Sequence, residues 1–160
     1  MPVIPSLRGA TEEVHYLEVV STVSVDNIGG TTHTIAYDTE VYDTSDMWNP
    51  ANPSLITIPA NGIYQVVLSV DFYAQLDNGS TEGLRLNINP SFGATMTTEE
   101  WLSNYSGGID VNSMKVSFST AIYLRQGDTI STNIQSYGFR TGSDFDGARL
   151  KVVNIGAITL

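Results

Sequence analysis

Apolar and polar residues alternate along most of this chain with a period of two. The longest such run lies at 62–74. There Tyr64, Val66, Leu68, Val70, Phe72 and Ala74 interleave with Ile63, Gln65, Val67, Ser69, Asp71 and Tyr73. Successive side chains of a strand point to opposite faces, so the first set is expected on one buried face. Pro59 and Asn61-Gly62 precede the run. Proline lacks a ladder donor and Asn-Gly suits a tight turn, so these residues predict a turn feeding a strand. The second set is only half polar, which is unusual for a face that simply meets water.

The same period recurs along the chain. A strand is expected over 15–25, with Leu17, Val19, Val23 and Val25 on one side, and another over 33–43, rich in β-branched and aromatic residues. Residues 83–89 set Leu84, Leu86 and Ile88 against Arg85, Asn87 and Asn89, and 115–124 bury Val116, Phe118, Ile122 and Leu124. Residues 126–137 restart after Gly127-Asp128, and 148–160 close the chain. Only 95–105 suggest a helical turn, with Thr97 and Glu100 at capping-box spacing. Residues 1–14 lack periodicity and read as an extended N-terminal arm, leaving 15–160 as a single domain. About seven short strands with frequent turn signals predict an all-β, two-sheet antiparallel jelly-roll sandwich.

The closing stretch adds a constraint. Leu150, Val152 and Ile158 fall on one side, and Val153, Ile155 and Ala157 on the other. A strand apolar on both faces belongs in the middle of a sheet whose outer face is covered. A two-sheet sandwich covers only its inner faces, so a neighbouring copy is the economical cover.

Composition narrows the function classes. The 160 residues are 41% apolar and 15% charged, a globular balance at single-domain size. Absence of cysteine removes disulfides, thiolate metal sites and thiol catalysis. Seven basic against seventeen acidic residues give a net charge of −10, which disfavours nucleic acid and anionic membrane surfaces as partners. No run approaches the ~20 apolar residues of a membrane span, and no secretory signal is visible at the start.

Candidate chemistry is sparse. The two histidines, His15 and His33, lie next to no acidic or nucleophilic pattern, and no phosphate loop or His-x-x-x-His pair is present. No catalytic residue and no cofactor are assigned. Asp77, Asn78 and Glu82, or Asp144 and Asp146, fall short of the about six to eight oxygens that calcium takes, and Asn78-Gly79 is explained by a hairpin turn. No metal site is assigned. Residues 42–50 place Tyr42, Met47 and Trp48 beside Asp and Asn. These residues form a candidate glycan-binding loop, or else a plug for one end of the sandwich. Trp101 and Tyr105 raise the same two readings.

Three motifs then occur in order. Pro-x-x-Gly-x-Tyr falls at Pro59, Gly62 and Tyr64; Leu-x-x-Gly-Asp at Leu124, Gly127 and Asp128; and Ser-x-Phe-x-Gly at Ser143, Phe145 and Gly147. In these, the chain resembles the tumour-necrosis-factor and complement-globular-head jelly rolls over roughly 15–160. With "AYDTEVYDTSDMWNPANPS" ahead of the first motif, it is most similar to stand-alone bacterial and bacteriophage members. The resemblance implies a tight homotrimer with one sheet of each protomer packed about a threefold axis. It assigns Ile63, Gln65, Val67, Ser69, Ser117, Ser119, Ala121, Tyr123 and Phe145 to the trimer interface. Some complement-like heads bind calcium at the top of the trimer, which keeps a cation open on that ground alone.

These observations together lead to the expectation of a non-enzymatic virion structural protein, a homotrimeric knob that decorates or cements a bacteriophage capsid. It would be made in the host cytoplasm and sit on the capsid exterior. Pro2, Val3, Ile4, Pro5 and Leu7 would lie on the major capsid protein as a tether. The alternative is a receptor- or glycan-binding head of a tail fibre or adhesin, using Tyr42, Met47 and Trp48. Nothing in the residue pattern favours an enzyme.

Overall fold

The computed structural model describes residues 14–26, 30–76, 81–103, 110–137 and 144–157. The expected arm at 1–14, with Pro2, Val3, Ile4, Pro5 and Leu7, therefore lies outside the described residues except for Val14. Ten strands form among the described residues. They are β1 (Tyr16–Ser21), β2 (Thr32–Thr34), β3 (Thr39–Asp43), β4 (Ile56–Thr57) and β5 (Gly62–Leu76), followed by β6 (Thr81–Pro90), β7 (Met96–Ser103), β8 (Asp110–Leu124), β9 (Thr129–Tyr137) and β10 (Asp144–Ala157). One sheet has the order β3-β1-β10-β5-β8. The other runs β2-β9-β6-β7, and β4 shares the outer edge of β9 with β2. Every pairing is antiparallel, and the two sheets make a jelly-roll sandwich.

The period of two becomes burial. Tyr64, Val66, Leu68, Val70, Phe72 and Ala74 of β5 are fully buried, and across the core they meet the layer formed by Leu84, Leu86, Ile88, Ile130 and Ile134. Burying an aliphatic or aromatic side chain contributes about 1.5–3 kcal/mol, so this alternation is the main stabilising term. The polar groups that enter the core are paired. Tyr37 Oη lies 2.6 Å from Thr132 Oγ1, and Tyr64 Oη donates to the Ala60 carbonyl at 2.8 Å. Burial pushes the Tyr37 hydroxyl well above its ordinary range. Asn61 ties the turn before β5 to the turn after β8, accepting the Gln126 N–H at 2.9 Å.

Four expectations need correction. The strand expected over 15–25 ends at Ser21, and Val23 is 55% exposed rather than beside the buried Leu17 and Val19. The stretch 33–43 is not one strand: β2 belongs to one sheet and β3 to the other. Between them Ile35 and Tyr37, both buried, cross the core, and Asp38 fixes the corner by accepting the Thr22 N–H and hydroxyl at 2.9 and 2.7 Å. The helical turn expected in 95–105 is instead β7, an edge strand whose Thr97 pairs with Asn87 and Glu100 with Leu84. Pairing with β6 overrides a local capping signal worth about 1 kcal/mol. Phe145 does not face outward. It is 3% exposed within the core, because a bulge between Phe145 and Gly147 shifts the parity of β10. Beyond the bulge Ala148, Leu150 and Val152 face inward.

The closing strand is central, as its two apolar faces imply. β10 lies between β1 and β5, with Leu150 and Val152 fully buried, Val153 half-buried and Ile155 56% exposed. Ile158 lies outside the described residues.

Candidate interaction surfaces

The outer face of the β3-β1-β10-β5-β8 sheet collects most of the residues expected at a subunit contact. Register places Ile63 beside Tyr123, Gln65 beside Ala121, Val67 beside Ser119 and Ser69 beside Ser117. On the other side of β5, Val67 meets Lys151 and Gln65 meets Val153. Two pairs in the β5–β8 half of this face are joined by side-chain hydrogen bonds. Gln65 Nε2 donates to Ser119 Oγ at 3.3 Å, and the Ser69 and Ser117 hydroxyls lie 2.8 Å apart.

The two edges of this sheet differ. β3 is five residues long and carries Glu40 and Asp43, features that discourage further pairing. β8 is fifteen residues long, has no proline, and has no charged residue after Lys115. A long uncharged edge is a template for another chain unless something covers it.

A charged cluster on the same face escaped the sequence reading. Glu18 of β1 is 8% exposed, yet it accepts from Tyr16 Oη at 2.6 Å, lies 3.3 Å from Lys151 Nζ and pairs with Arg149. Farther along the face, Lys115 Nζ is 3.1 Å from Asp71. The Tyr16 hydroxyl, then Lys151 and Arg149, hold the Glu18 carboxyl below its usual range against the opposing effect of burial. Asp38 is held low chiefly by the Thr22 hydroxyl. A depressed carboxyl stabilises the fold above its unfolded value, and the contribution is lost as pH falls through the folded value. The urea midpoint is therefore expected to be flat above about pH 5 and to fall steeply below about pH 4. Glu18→Gln should lower the neutral-pH midpoint and flatten that fall, and an unchanged acid slope would remove Glu18 as its source. No sequence signal marks this cluster, because it exists only once β1 pairs with β10.

The proposed ligand loop takes the other of its two readings. Met47 is 2% and Trp48 9% exposed, both inside the core cluster, while Tyr42 stays outside against the Tyr16 ring. Asp43 accepts the Ser45 and Trp48 backbone N–H groups at 3.0 and 2.9 Å, and Trp48 Nε1 donates to the Pro53 carbonyl at 3.2 Å. The loop thus folds its apolar residues inward as a plug, and Met47 and Trp48 offer no surface for a glycan. His15 Nδ1 lies 2.7 Å from Ser45 Oγ and His33 Nε2 2.6 Å from Thr31 Oγ1; His33 is on β2, whereas His15 precedes β1. Among the described residues no three His, Asp or Glu side chains converge as metal ligands, and Asp77 and Asn78 lie outside those residues.

No family model and no curated protein matches the sequence. Solved structures do match. The globular domain of zebrafish complement 1qA protein superposes with a TM-score of 0.59 at 14% identity, covering 88% of this chain and 97% of that one. Murine APRIL at pH 8.0 gives a TM-score of 0.55 at 15% identity, covering 89% of this chain and 100% of that one. The same protein at pH 5.0 gives 0.53 at 17% identity, with 89% and 100% covered. With its all-β layers, antiparallel order and central closing strand, the chain has the jelly-roll fold shared by complement globular heads and tumour-necrosis-factor-like ligands.

Proposed function

We propose that this protein is a non-enzymatic head that works as a homotrimer, joined through β8 and the outer face of its sheet. The observation that carries this reading is the long edge of β8, without charge over residues 116–124, in a sheet whose other edge is short and acidic. A second copy laid there would bury Val67, Ala121 and Tyr123, and each pairwise contact should exceed about 1,000 Å². The likeness in fold to complement and APRIL heads supports the arrangement.

On the same reading the trimer is a knob on a bacteriophage capsid exterior, made in the host cytoplasm and attached to the major capsid protein by residues 2–7. The net charge of −10, and the absence of a convergent His, Asp and Glu cluster among the described residues, accord with a structural or binding role. Light scattering at micromolar concentration should give three times the protomer mass, and a stable monomer would end the proposal. Co-sedimentation with purified capsids tests the location separately. Deleting residues 1–12 should abolish attachment and leave the trimer intact; attachment that persists would refute the tether.

A further inference from the structure

The outer face of the other sheet, away from the proposed subunit contact, carries a flat aromatic platform. Trp101 of β7, Gly83 of β6 and Tyr137 of β9 are directly paired across three strands. The indole lies over Gly83, where any Cβ would come within 2.8 Å of its Cζ3 and 3.0 Å of Cε3. The Trp101 and Tyr137 rings are inclined by only 18° with centroids 6.4 Å apart. Trp101 is 57% exposed, whereas the chain's other tryptophan is buried. Glycine is what lets the ring lie down on the sheet and present its face to solvent.

Hydrogen-bonding groups border the rings. In the next row Arg85 stands 5.0 Å over the Tyr137 ring and binds Glu99, its Nε 2.6 Å from the carboxylate. One row farther, Thr97 donates to Asn87 at 2.9 Å, and Asn87 Nδ2 donates to Asn133 at 2.5 Å. Rows on one face repeat every ~6.8 Å, so rings, ion pair and amides form one continuous strip. Arg85 and Glu99 neutralise each other, leaving the strip without net charge on a chain of −10. Glu99 and Glu100 sit on the β7 edge, which guards it against an added strand.

We propose that this strip binds an uncharged oligosaccharide. One pyranose lays its C–H face on Trp101, and its hydroxyls bond Glu99, Arg85 and the Asn87 row. An aromatic face supplies apolar contact with a defined orientation, while carboxylate, guanidinium and amide groups satisfy hydroxyls that would otherwise lose water. Phosphate-bearing ligands are disfavoured by the net charge. The site does not depend on self-association, since each protomer carries all of it; joining three copies would add avidity.

Isothermal titration calorimetry with millimolar cellohexaose, maltohexaose, mannohexaose and chitohexaose tests this. At least one should bind saturably. Trp101→Ala should weaken that binding about tenfold or more. Gly83→Ala, which keeps the ring but lifts it off the sheet, should do the same, and Glu99→Gln should weaken binding several-fold. Light scattering and melting curves check that each variant keeps its mass and fold, which separates this result from any failure to trimerise. Absence of binding to all four sugars would overturn the proposal, as would full affinity in both Trp101→Ala and Gly83→Ala, or tighter binding of a sulfated hexasaccharide than of any neutral one.

Discussion

Gly147→Ala is expected to lower the melting midpoint by about 10 °C, corresponding to ~3 kcal/mol. Gly147 sits at the β10 bulge with φ +149°, a conformation that L side chains rarely adopt, and holding one there costs about 1–3 kcal/mol. The added Cβ would also stand 2.8 Å from the Ser21 carbonyl oxygen. That oxygen belongs to the backbone of β1 and cannot swing aside as a side chain would. Relief requires β1 and β10 to separate where Ser21 pairs with Ala148, or the bulge to unwind. Unwinding would turn Phe145 outward and empty a core position. Circular dichroism melts at one protein concentration check this, and an unchanged midpoint would show that the bulge accepts a side chain.

Val67→Arg should convert the proposed trimer to folded monomer. Val67 is half-buried at the centre of the outer face, between Lys151 on β10 and Ser119 on β8. In the free protomer an arginine there can extend into water, so the melting midpoint should shift little. In the proposed assembly it would be a buried charge with the Lys151 ammonium as its neighbour. An uncompensated buried charge costs about 3–5 kcal/mol, which weakens association about a thousandfold. Light scattering of the variant should therefore give the protomer mass. A variant that keeps the wild-type mass would place the contact elsewhere.

What the sequence reveals and what it hides separate along physical lines. Alternation identifies β5, β6, β8 and β9 and their buried sets, because burial of every second side chain must be written into the residues themselves. The central position of β10 was legible for the same reason: both of its faces are apolar. A one-residue bulge leaves no compositional mark except a glycine, so the inward side of Phe145, which the resemblance assigns to the subunit contact, is not legible in the sequence. The split of 33–43 depends on Asp38 finding Thr22, a contact between segments distant in sequence. Trp48 and Trp101 look alike in sequence, each beside acidic residues, yet one is a plug and the other a platform. Only the β6–β7 register, which brings Gly83 under Trp101 and Arg85 beside Glu99, separates them, and a helical reading of 95–105 conceals that register.

The place of β10 between β1 and β5 has a consequence for biosynthesis. As the chain emerges from the ribosome, β1 and β3 can pair with each other, but neither can join the rest of their sheet until residues near 150 have cleared the exit tunnel. Because sheet closure waits on such distant pairings, it is slow, and the newly made protein passes through a stage with open strand edges. A premature stop before β10 would not trim one strand from a working body; it would leave β1 and β5 without the strand that joins them, a product for proteases and chaperones.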